Sequence, residues 1–182
     1  MALSKITNGG VAASGIPTGG IIQVQHTQYD TPQTYSSVTA DTDFAITQLA
    51  VNITPTSTSS VIMLQSQICG ELGDVDDHWN HVLFFYRDTT ALKATAAGSR
   101  QVGVSALTRT HATDTGSTPE IGFFQYFDTP NSTSQITYKV GMRLLYAAGS
   151  GVDFALNRTI TDTDTNVFER FVSYISATEV AG

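Results

Sequence analysis

The sequence predicts an all-β protein, an antiparallel β-sandwich or jelly roll of about nine strands behind an extended N-terminal arm. Three observations predict it. From residue 21 onward the apolar residues recur with period two rather than 3.6, the spacing of strands with one buried and one wet face. Clusters of Gly, Pro, Ser, Thr, Asn and Asp separate the apolar runs at short intervals, as turns do between strands. Only 14% of the residues are charged, against roughly 25% in an average soluble domain. Hydroxyl and amide side chains fill the gap.

Residues 1–20 form the arm and residues 21–182 the sandwich. In the arm, Gly9, Gly10, Gly15, Gly19 and Gly20, with Pro17, interrupt every helix or strand. Fully extended, a segment of that length reaches roughly 65 Å, enough to cross onto a neighbouring subunit. It reads as an attachment or subunit-exchange element, with Leu3, Ile6, Val11, Ile16 and Pro17 as its anchoring side chains. The alternative is an arm folded back on its own domain. The clearest strand is Ile136 to Tyr146, where Ile136, Tyr138, Val140, Met142, Leu144 and Tyr146 alternate with Thr137, Lys139, Gly141 and Arg143. Val152, Phe154, Leu156 and Ile160 repeat the pattern. Further strands are expected at 21–28, 44–53, 61–69, 81–87, 101–109, 121–127 and 167–177, with Gly70 to Asp77 among the turn clusters. Any helix is short and is expected near Thr89 to Ala97.

The chain of 182 residues carries a formal charge of −7 with nine Lys plus Arg. A phosphate-binding surface needs a basic stripe, so no nucleic acid partner is expected. Cys69 is the only cysteine, which excludes an intrachain disulfide and reads as a buried, inert thiol. No secretory h-region follows Lys5, and no apolar stretch approaches the roughly 20 residues that span a bilayer. A soluble protein made in a cytoplasm, without membrane contact, is the expectation.

The segment richest in chemistry is Asp74, Asp76, Asp77, His78 and His81, with Trp79 among them. Two His and several carboxylates can hold a divalent metal, but the spacing matches no structural zinc pattern. A solvated loop with Asx turns and a packed Trp79 reads better, and no metal or other cofactor is expected. Asp162, Asp164 and Asn166 open like an EF-hand loop, yet Val167 stands where Gly is needed and Ser173 where Glu should be. A turn between strands is expected there. No Gly-x-Ser-x-Gly occurs, and His26, His78, His81 and His111 are dispersed. Glu71, Asp88, Glu120 and Glu169 offer carboxylates for glycoside hydrolysis, but none stands apart from an ordinary acid. Tyr29, Tyr35, Trp79, Tyr86 and Tyr126 are candidate surface-contact aromatics for a glycan or protein, against the alternative of core packing.

Several segments together carry a family resemblance. Gly20-Ile21-Ile22-Gln23-Val24-Gln25 follows the arm, and Leu49 to Ile53 leads into Thr54-Pro55-Thr56-Ser57-Thr58-Ser59-Ser60 before Val61-Ile62-Met63-Leu64. Phe84 to Thr90 and a closing Ser173 to Val180 complete the order. In the turn, Pro55 stops one strand and the hydroxyls satisfy local backbone groups before Val61 starts the next. This order resembles tail-fibre-like structural proteins of bacteriophage virions. The resemblance implies a non-enzymatic virion protein, made in the host cytoplasm, attached to other virion proteins by its arm. It also implies a homotrimer and contact with a host-surface glycan or protein. A head decoration or cement protein is the alternative, and a carbohydrate-binding module or small depolymerase is the second.

Overall fold

Alternating apolar residues bury one face by stacking sheet on sheet, and the computed structural model of the chain does this with two antiparallel sheets. It describes residues 15–73, 76–77, 79–108, 116–146 and 151–182. In chain order the strands are β1 (Ile21–Tyr29), β2 (Gln33–Tyr35), β3 (Thr42–Ile53), β4 (Val61–Leu72), β5 (His81–Arg87), β6 (Thr90–Leu92), β7 (Glu120–Asp128), β8 (Ile136–Leu144), β9 (Phe154–Leu156) and β10 (Ser173–Val180). The first sheet joins β1, β10, β4, β9 and β2, with β7 on the far side of β4; the second runs β3-β8-β5-β6. Ile62, Leu64, Ile68, Phe124, Ile175 and Ala177 of the first sheet meet Ile46, Leu83, Phe85, Tyr138, Val140 and Met142 of the second. Among the described residues there is no α-helix, and no helix long and apolar enough to cross a membrane.

Four expectations are corrected. Residues 89–97 form no helix, because Asp88 takes a left-handed φ of 53° and turns the chain back so that Thr90 pairs with Arg87. Among the described residues the expected strand at 101–109 forms no continuous ladder: it is bridged to β5 at Leu83–Ser105 and to β7 at Thr108–Ile121, and Leu107 N–H donates to His81 of β5. Residues 70–72 continue β4 rather than turning. Tyr146 lies beyond β8 and is exposed.

The two poles of the sandwich differ. At the lower pole Gly19 N–H donates to the Ala181 carbonyl at 2.8 Å, and Ala181 N–H donates to that of Gly20 at 2.9 Å. The β3–β4 turn closes over the same pole through Glu179, a fully buried carboxylate. It accepts from Ser60 Oγ at 2.7 Å, Thr56 N–H at 2.7 Å, Thr56 Oγ1 at 2.8 Å and Gln23 Nε2 at 2.7 Å. Two hydroxyls of the Thr/Ser-rich turn therefore serve a carboxylate from β10, while Ser57 and Ser59 make the local bonds expected of them. At the upper pole β9 takes over from β10 along one edge of β4. Asn157, at a φ of 60°, makes the changeover: its N–H donates to Cys69 O, and its Oδ1 accepts from Ser173 Oγ.

The outer faces also differ. On the second sheet, Asp43, Lys93, Lys139 and Arg143 ring the buried Phe84, with Lys93 Nζ 4.0 Å from its ring centroid. Gly141 makes room for that ring, since a Cβ there would lie 2.4 Å from it. On the first sheet the outward residues align in rows across four strands. Val24, Thr178, Met63 and Phe127 form one row; His26, Ser176, Gln65 and Gln125 the next; Gln28, Tyr174, Gln67 and Phe123 a third. None of these residues is Asp, Glu, Lys or Arg.

Candidate functional site

The loop that composition singled out is a scaffold. Trp79 N–H donates to Asp76 O at 3.3 Å and Asn80 N–H to Asp77 O at 3.2 Å. The Asp77 carboxylate, fully buried, accepts Tyr146 N–H at 2.8 Å through Oδ1. His81 uses both ring nitrogens: Nε2 accepts Leu107 N–H at 2.8 Å, which leaves Nδ1 protonated to donate to Asp77 O at 2.6 Å. With no free nitrogen lone pair, His81 is a positioning residue and not a metal ligand as it stands. Asp74 and His78 lie outside the described residues, and among those described no group of three His, Cys, Asp or Glu could hold a metal.

What the scaffold presents is Trp79, 66% exposed, at the mouth of a cleft of about 490 Å³. Asp41, Asn80, Val82, Gln101, Arg143 and Leu145 line it, with Ser99 and Arg100 beside them. Gln101 Nε2 donates to Asn80 O at 3.3 Å, while its Oε1 is buried and accepts no hydrogen bond among the described residues. Arg143 donates through Nε to Asp43 at 2.6 Å and through Nη1 to Asp41 at 3.3 Å. Burial pushes the Asp43 carboxyl up, but its hydrogen bonds to Lys93 and Arg143 outweigh that and hold it below the usual carboxylate range. Arg143 thus ties the cleft lining to the Asp43–Lys93 pair beneath it.

The other candidates are placed as follows. Tyr29, Tyr35 and Tyr126 pack against the core, Tyr35 with ring contacts to Phe44 and Phe154. Tyr86 stands edge-on to Phe84 at 5.2 Å on the outer face of the second sheet. The structure does not bring these four to Trp79. Glu71 accepts Thr118 N–H at 3.0 Å and Ile160 N–H at 2.6 Å, and Glu120 accepts Leu72 N–H at 3.0 Å; they clamp loops. Asp162 pairs with Arg170 and, at 3.8 Å, with Arg158. Burial pushes the Cys69 thiol above its usual value. Of the arm residues, Leu3, Ile6 and Val11 lie outside the described residues. Ile16 and Pro17 sit at the lower pole, Ile16 lining a recess of about 350 Å³ with Ser57, Ser59 and Gly182.

Asp41, Asn80, Arg100, Gln101 and Arg143 had no sequence signal as a group. They come from four separated segments, and Arg143 reads only as the wet face of β8. No protein-family model matches the chain, and no curated protein matches it.

Proposed function

We propose that the chain is a non-enzymatic bacteriophage virion part of the tail-fibre-like kind. In this reading it is held to the particle at its lower pole and offers the Trp79 cleft to a host-surface glycan. The observation that carries the reading is polarity. Residues 15–20 join the sandwich at the pole of Glu179, and the cleft lies at the other pole, roughly 30 Å away by the rise of a nine-residue strand. A displayed module needs that arrangement: a grip at one end and a contact surface at the other.

The chemistry of the cleft suits a sugar. An exposed indole offers a flat apolar face to the C–H face of a pyranose, and amide and guanidinium groups around it match hydroxyls. Its volume falls in the range of small-ligand sites. A binding role rather than a catalytic one is supported by the titratable groups, since His81, Asp77, Asp43 and Arg143 are all engaged in internal bonds. The distal cleft favours a fibre knob over a head decoration protein, whose contacts would concentrate at the arm.

Two measurements test this. On a glycan array the purified chain is expected to bind a restricted set of glycans, and Trp79→Ala to weaken the best at least tenfold, about 1.4 kcal/mol, with Tm unchanged. An unaltered signal sinks the cleft. Deleting residues 1–20 is expected to abolish incorporation into particles of the encoding phage; undiminished incorporation sinks the anchor.

A further inference from the structure

The outer face of the first sheet carries exposed aromatic residues and no Asp, Glu, Lys or Arg along its three rows. Phe123 is 58% and Phe127 56% exposed, on either side of Gln125 along β7, with Met63, Gln65 and Gln67 of β4 opposite them. Strand β7 is also the sheet's edge: beyond β4 its other side carries, among the described residues, only the Thr108–Ile121 bridge. An exposed apolar edge strand is normally blunted by Lys, Pro or a covering element. Here the outward positions of β7 from 121 to 127 are Ile, Phe, Gln and Phe.

We propose that this face packs against the same face of a second copy of the chain, in a two-fold symmetric pair. Two properties select a second copy over an unrelated partner. First, the chain carries a formal charge of −7, yet none of its ionised acids stands on these rows. Two copies therefore meet here without placing like charges against each other. Second, the polar groups on the face are glutamine amides and hydroxyls, each both donor and acceptor. Gln65 Nε2 already donates to Gln125 Oε1 across the strands at 3.1 Å. A surface of this kind is complementary to itself, as a two-fold contact requires.

The size suffices. Four strands about 4.8 Å apart and about eight residues long give about 500 Å² of flat sheet per copy. The pair thus buries about 1,000 Å², the lower bound for a specific interface and the range of a micromolar contact. The inference stands on the face alone and is independent of the virion reading; it names a pair where the family resemblance implies a trimer.

Sedimentation velocity of the full chain across about 1 to 200 µM tests it. The expected result is a monomer–dimer equilibrium whose Kd rises at least 100-fold in Phe123→Lys and in Phe127→Lys, since each buries an unpaired charge. Thr47→Lys, an exposed position on β3, is expected to leave the Kd within about twofold. Because the two phenylalanines are exposed in the single chain, Tm values that match the wild type at concentrations well below its Kd confirm that the variants fold. A monomer at every concentration overturns the proposal, as does a trimer, or a dimer indifferent to both substitutions. Association that appears only after removal of residues 1–14 identifies the chain's own arm as the occupant and also overturns it.

Discussion

Gly70→Ala is expected to destabilise the fold by about 3 kcal/mol or more, at the upper end of what overpacking a core costs. Gly70 lies inside β4, paired on one side with Glu120 and on the other with Leu156. A Cβ there would sit 2.1 Å from the Ala155 carbonyl oxygen and 2.8 Å from the Phe154 ring. The carbonyl is backbone in the neighbouring strand, and the ring is fully buried against Tyr35, so neither can move without breaking the β9 pairing. For a chain of this size the cost corresponds to a fall in Tm of roughly 6–12 °C. Gly122→Ala is the control: its Cβ meets Leu83 Cδ1 at 2.7 Å, the end of a flexible side chain. Unfolding in urea should show the Gly70 variant losing at least twice as much as the Gly122 variant. Equal losses would mean that the β4–β9 junction yields as easily as a leucine rotamer.

The same glycine shows where sequence reading stops. Next to Gly73 and three aspartates, Gly70 looks like the start of a turn, because glycine's usual message is backbone freedom. Its role here is space, and space depends on Phe154, eighty-four residues away. Strand β8 was legible for the opposite reason. Its alternation is strict, one face is core, and a slip of one residue would invert every side chain. The segment 101–109 alternates too, yet among the described residues it makes bridges and single hydrogen bonds rather than a ladder. Gly103, whose Cβ would lie 2.6 Å from Val82, lets it lie close to β5 without a full ladder. Residues 89–97 misled because nothing in Asp88-Thr89 announces a left-handed residue.

For the candidate site, composition pointed to the loop that borders the cleft but not to the atoms that line it. A cluster of Asp and His cannot disclose that both nitrogens of His81 are spent on Asp77 and Leu107. Trp79 was legible as a candidate only because an aromatic in a polar loop has two fates. The expectation that it is packed fails because the turn bonds of Asp76 and Asp77 hold it outward. The cleft walls were invisible, since no local pattern joins Asp41 to Arg143 or Gln101 to Asn80. The opposite pole shows the same limit. The Thr/Ser-rich turn announced itself, but its buried carboxylate comes from the other end of the chain.

That carboxylate carries the second large effect. Glu179→Gln is expected to cost about 2–4 kcal/mol at neutral pH, because hydrogen bonds to a buried charge are worth more than neutral ones. All four donors to Glu179 point hydrogen at oxygen, so an amide must turn an N–H toward one of them. Burial pushes the Glu179 carboxyl up, but the bonds from Ser60, Gln23 and Thr56 outweigh burial and hold it below its ordinary value. The folded state therefore binds fewer protons than the unfolded one at acid pH. The stabilisation is complete above the unfolded value of about 4.3 and is lost as pH falls through the lower folded value. Urea midpoints for both proteins at pH 7 and through the acid range test this. The gap between them should be widest at pH 7 and should narrow toward acid, where wild-type Glu179 itself becomes neutral. A gap that stays constant with pH would assign the loss to packing at the turn and remove the charge from the account. Because Thr56 and Ser60 hold the turn to β10 through this group, acid should also loosen the pole at which residues 15–20 join the sandwich. On the proposed reading, the particle's grip on the module would weaken at acid pH before the core unfolds.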